Sequence, residues 1–90
     1  MYQNDTPIQK FLNSTHQSYT ADILHLFKHN NISATALLIY IKALPHKETR
    51  ISVKEFCFIT GLSRSSCYRA YKYLIENDLI SNEYVLVEKK

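Results

Sequence analysis

The chain contains a single glycine among its 90 residues, Gly61, and that glycine separates two segments that each begin with their own helix-start signal. Upstream, Ser52 can act as an N-cap, and Glu55 three positions on completes a capping box by reaching back to the cap's own amide. Val53, Phe56, Cys57 and Thr60 then recur at helical spacing. Gly61 falls where this helix has to stop, at a position where positive φ costs glycine nothing and other residues something. Leu62 plugs the corner, and Ser63 caps a second helix that starts at Arg64. The run from Ser52 to Ile80 is therefore expected to fold as two helices meeting at a tight turn.

Two helices joined by a short glycine-containing turn make a helix-turn-helix, a motif whose second helix enters the DNA major groove. Advancing about 100° per residue from Arg64 to Glu76 places Cys67, Ala70, Tyr71 and Leu74 on a core side. Ser65, Tyr68, Arg69, Lys72 and Glu76 fall opposite. Between Gly61 and Lys72 there are three positive charges (Arg64, Arg69, Lys72) and no negative one, which matters more than the formal net charge of +3. Arginine can donate two hydrogen bonds to guanine, lysine and serine can hold phosphates, and small residues at the helix start let it sit close to a groove floor. The candidate DNA-binding residues are thus Ser63, Arg64, Ser65, Ser66, Tyr68, Arg69 and Lys72. Arg64, Ser65, Tyr68, Arg69 and Lys72 are expected to form one continuous surface with no acidic residue among them. The competing interpretation is an amphipathic core helix whose polar face is simply solvated; the two caps, the sole glycine and the β-prone C-terminus weigh against it.

Met1 to Asn4 is expected to be a frayed tail, followed by Thr6 as a cap and Pro7 at a first helical position. Ile8, Phe11 and Leu12 form one apolar stripe, which the polar stretch Asn13 to Ser18 breaks. From Thr20 a second stripe, Ile23, Leu26 and Phe27, runs to about His29-Asn30-Asn31. Ser33 is expected to cap the next helix, which stops before Pro45 and is apolar around most of its surface, as a central helix should be. Pro45 to Arg50 is a polar connection and Ile51 a short strand. After the pair Asn77-Asp78 ends the last helix, Leu79-Ile80, the turn-like Ser81, Asn82 and Glu83, and the β-prone Tyr84-Val85-Leu86-Val87 suggest two short strands.

From Ser33 to Val87 the sequence resembles winged helix-turn-helix domains of bacterial, plasmid and phage proteins, in particular those of replication proteins and of regulators of the multiple-antibiotic-resistance type. The resemblance rests on Ser33-Ala34-Thr35-Ala36-Leu37, Thr60-Gly61-Leu62-Ser63, Arg64-Ser65, Arg69-Ala70, Leu74 and Leu79-Ile80. It implies a mainly α fold with a small β-hairpin as the wing, on residues 33–90, preceded by an N-terminal helical extension on residues 1–32. The pattern departs at two points: Asn82-Glu83 stand where a basic wing tip is usual, and Cys67 stands where the family has valine.

Other constellations point away from chemistry. Cys57 and Cys67 lack a Cys-x-x-Cys or a histidine pair at zinc-finger spacing and sit on core faces, so they read as small buried thiols. His25 and His29 are four apart on a polar helix face without a third ligand, and His16 and His46 are isolated. With one glycine in the chain a phosphate-cradling loop is nearly excluded, and no nucleophile stands at recognisable spacing from a base. An enzyme is not expected, nor a metal or cofactor. The longest apolar run, Ala36 to Ile41, is far too short to span a bilayer, and no signal peptide is visible, so no membrane partner and a cytoplasmic location are expected.

A sequence-specific duplex DNA-binding protein is the favoured expectation, as a small transcriptional regulator or a replication accessory factor of a mobile element. Two alternatives stay open. Tyr68, Tyr71 and Tyr73 crowd one helix and could stack on unpaired bases of single-stranded DNA. A winged helix can also serve purely as a protein-interaction module. The N-terminal stripes could pack on the protein's own core or pair with a second subunit to form a homodimer.

Overall fold

The computed structural model describes residues 7–14, 21–29 and 31–88, and in them the capped run builds the expected corner. The elements are α1 (Pro7–Ser14), α2 (Ala21–Lys28), α3 (Ile32–Lys42), β1 (Arg50–Ser52), α4 (Val53–Thr60), α5 (Arg64–Glu76) and β2 (Val85–Val87). Thr6, Asn30 and the expected N-terminal tail lie outside the described residues, as do the side chains of Leu12 and Phe27. No helix among the described residues is long and apolar enough to cross a membrane.

α3 is apolar all round because it is buried all round: every residue from Ala34 to Ile41 is buried, and its most extensive helix contact is with α5. Its cap is Asn31 and not Ser33. The Asn31 Oδ1 accepts the Ala34 backbone N–H at 3.2 Å, and the Asn31 carbonyl accepts the Thr35 hydroxyl at 2.7 Å. The helix therefore starts one residue before Ser33, which lies in its first turn. Both residue types can cap; the one with its side-chain oxygen three residues before a free amide is Asn31.

The core joins all the described helices. Ile23 and Leu26 from α2, Leu37 and Leu38 from α3, Ile51 from β1, Val53 and Phe56 from α4, and Cys67, Ala70 and Leu74 from α5 are buried together. Ile8 and Phe11 from α1 are half-buried against the same cluster. These four described members of the N-terminal stripes thus pack within the chain.

The fold class is as expected, mainly helical with a small sheet, but the sheet is not a hairpin. β2 pairs in parallel with β1, the strand that precedes the two-helix corner, in the register Arg50–Val85, Ile51–Leu86, Ser52–Val87. Leu79 and Ile80, expected to supply the other strand, instead close the end of α5. Asp78 adopts a left-handed φ of 57°, its N–H reaches the Ile75 carbonyl at 3.1 Å, and the Leu79 N–H reaches Leu74 at 2.9 Å. This is a Schellman closure, in which the residue after the left-handed position is drawn onto the core; Leu79 and Ile80 are half-buried there. Their backbone is committed before a strand can form.

Candidate nucleic-acid interface

The turn between α4 and α5 is set by bonds within a few residues. Ser52 caps α4 by accepting the Glu55 N–H at 3.1 Å. Gly61 ends it with φ 74° and ψ 9°, its N–H on the Cys57 carbonyl at 2.8 Å. The buried Thr60 hydroxyl donates to the Phe56 carbonyl at 2.7 Å and accepts the Leu62 N–H at 3.2 Å, so the corner leaves no buried side-chain donor or acceptor unmet. Ser63 then caps α5 by accepting the Ser66 N–H at 3.1 Å, and donates its own proton to the Ser66 hydroxyl at 3.1 Å.

One expectation about this turn is revised. Glu55 does not close the capping box; its Oε1 accepts the Tyr40 hydroxyl of α3 at 2.7 Å. Burial first, and then the hydrogen bond to Glu55, push the Tyr40 hydroxyl well above its ordinary range, against a smaller opposing pull from the Ser52 backbone N–H. Tyr40 has entered between the cap and its expected partner and ties α3 to the start of α4. Its ring also meets Phe56 edge-on, with centroids 5.6 Å apart.

The faces of α5 divide as the periodicity predicts. Cys67, Ala70 and Leu74 are buried and Tyr71 is half-buried, while Arg64, Ser65, Tyr68, Arg69, Lys72 and Glu76 are exposed. Ser63 is exposed and Ser66 half-buried, both engaged at the cap. Arg69 lies over a cleft shared with Asn31, Ser33, Ser66 and Tyr73, which extends the polar surface to the start of α3. Of the three crowded tyrosines, Tyr71 donates its hydroxyl to the Tyr84 carbonyl at 2.6 Å and so anchors the approach to β2. Tyr73 is half-buried, which leaves Tyr68 as the exposed ring of the three.

The surface is not free of acid, contrary to expectation. Glu88, the first residue beyond β2, reaches back over the start of α5. Its Oε2 accepts Arg64 Nη2 at 2.9 Å and also the Tyr68 hydroxyl. The Tyr68 hydroxyl, and then Arg64, hold the Glu88 carboxyl below its ordinary range, while the same bonds raise Arg64 and Tyr68. Lys72 is 4.0 Å from Glu76 one turn along, an exposed pair. Glu88 is 24 positions from Arg64 in sequence, so no local spacing could reveal it.

Cys57 and Cys67 are free thiols, the first half-buried and the second buried. Burial pushes Cys57 up and Cys67 to about 12, which suppresses the thiolates that nucleophilic or metal chemistry needs. His25 and His29 are exposed, with ring centroids 4.4 Å apart. No group of three or more histidine, cysteine or acidic side chains among the described residues is placed to hold a metal ion.

A family model described as a helix-turn-helix domain matches residues 30–80, more than half of the chain, and spans α3, β1, α4 and α5. No curated protein and no solved structure matches the chain.

Proposed function

This chain belongs to the helix-turn-helix domain family, and on that premise we propose that it is a sequence-specific binder of double-stranded DNA rather than an enzyme. It would act in the cytoplasm as a small transcriptional regulator or a replication accessory factor of a mobile element. The observation that carries this reading is the exposed face of α5. Ser65, Tyr68, Arg69 and Lys72 stand together on the exposed face of a helix whose start is set by the left-handed Gly61 and the Ser63 cap. Arginine beside small polar residues suits a groove floor, and lysine suits a phosphate. The resemblance to phage and plasmid replication proteins supports the mobile-element context. Two copies on half-sites about 34 Å apart would lengthen so short a recognition surface; sedimentation with and without duplex tests that arrangement.

The test is binding of the full chain to random duplex, random single-stranded DNA and a genomic fragment pool across a salt series. Duplex preference with a steep salt slope, and enrichment of a common sequence, support the reading. Single-strand preference would instead make the exposed Tyr68 ring a stacking platform. Absence of binding at low salt would assign the fold to protein interaction.

A further inference from the structure

The most telling unexplained feature of the surface is the carboxylate placed on it. A surface that only needed to bind DNA would gain nothing from an acid beside its first arginine, since phosphates repel the carboxylate and the carboxylate offsets the arginine's charge. Glu88 is nonetheless held there by two donors one helical turn apart, Arg64 Nη2 and the Tyr68 hydroxyl, on the same oxygen. The Arg64 side chain remains 70% exposed. A guanidinium carries five N–H donors in a planar fork. The bond to Glu88 engages one edge of that fork and leaves other donors available.

We infer that Glu88 is a specificity-determining residue of the α5 surface, holding Arg64 back from indiscriminate phosphate pairing while presenting its remaining donors to a base edge. This rests on the duplex-DNA reading. Against random sequence, Arg64 and Glu88 nearly cancel, and the pair contributes little to counterion release. Against a guanine, the free donors meet the neutral acceptors N7 and O6, which do not repel the carboxylate as a phosphate does. The Tyr68 hydroxyl is a second donor to the same oxygen and favours the acid's place beside the arginine. Discrimination then comes from lowering the affinity for the wrong sequence more than that for the right one.

The experiment uses the full chain as wild type, Glu88→Gln, Arg64→Ala and the double variant, on random duplex across a salt series and on the duplex that wild type selects from a random library. Glutamine keeps the shape and can still accept from Tyr68, and thermal melting checks that each variant folds. Glu88→Gln is expected to bind random duplex about three- to tenfold more tightly, with a log–log salt slope steeper by about 0.9. The selected-to-random affinity ratio should fall correspondingly. On the Arg64→Ala background the steepening should vanish, because the released cation is no longer there. An unchanged slope and ratio in Glu88→Gln would overturn the inference, as would steepening that persists without Arg64. So would a lower ratio caused only by weaker binding to the selected site. In each of these cases wild type still binds duplex, so the DNA reading stands. If wild type binds neither duplex, that reading fails and this inference falls with it.

Discussion

Gly61 faces Pro7 across the junction of α4 and α1: a Cβ built on the glycine would lie 3.1 Å from both Cβ and Cγ of the proline. The residue that permits the left-handed turn therefore also lets the first helix close over it. Gly61→Ala should lose stability from both causes, about 1–2 kcal/mol for the left-handed backbone alone, with Gly61→Val worse. Urea unfolding measures the loss. Because the turn aims α5, duplex affinity should fall with it; a variant with an unchanged unfolding midpoint would mean that the turn tolerates a side chain.

The bond from Tyr40 to Glu55 should be visible in the alkaline range. Tyr40→Phe removes the 2.7 Å hydrogen bond and is expected to cost about 1 kcal/mol near neutral pH. The folded state raises the Tyr40 hydroxyl above the ordinary tyrosine value of about 10. A raised folded value means that the native state holds the proton more tightly than the unfolded chain. Its stabilising contribution is complete below about pH 10 and is lost as pH climbs through the folded value. The difference in melting temperature between wild type and Tyr40→Phe should accordingly narrow above about pH 10. A constant difference across that range would show that the hydroxyl is not coupled to folding.

Asn31 and Ser33 can be told apart by paired alanine substitutions. Asn31→Ala should destabilise by about 1 kcal/mol through loss of the α3 cap, and Ser33→Ala by less than half of that. The reverse order in chemical unfolding would return the cap to Ser33.

Lys72 and Arg69 test the binding face. Lys72→Ala should weaken all duplexes alike and flatten the log–log salt slope by about 0.9, as expected for one phosphate. Arg69→Glu with Lys72→Glu puts like charge against the phosphates on exposed positions and should abolish duplex binding with the melting temperature nearly unchanged. Wild-type affinity in this double variant would place the nucleic-acid surface elsewhere.

The features legible in the sequence are those decided within about one helical turn. Ser52 and Ser63 cap helices because their oxygens meet amides three residues on. Gly61 ends α4 because its φ of 74° is unfavourable for a residue with a Cβ. The buried and exposed sides of α5 follow from 3.6-residue periodicity, which needs no knowledge of the partner helix, only that one side is covered. Asn31 shows the limit of this local reading: two residues able to cap stand close together, and it is the Asn31 oxygen that meets the Ala34 amide.

Tertiary structure decided the partners. Tyr40 took Glu55 from across 15 positions, β1 found β2 on the far side of two helices, and Glu88 reached Arg64 over 24 positions. An isolated sequence window registers that a tyrosine, an acid or an apolar pair needs a partner, but not which one. That choice depends on which surfaces the packed core brings within bonding distance, and only after α3, α4 and α5 have closed around Leu37, Phe56 and Leu74 is there such a distance to measure.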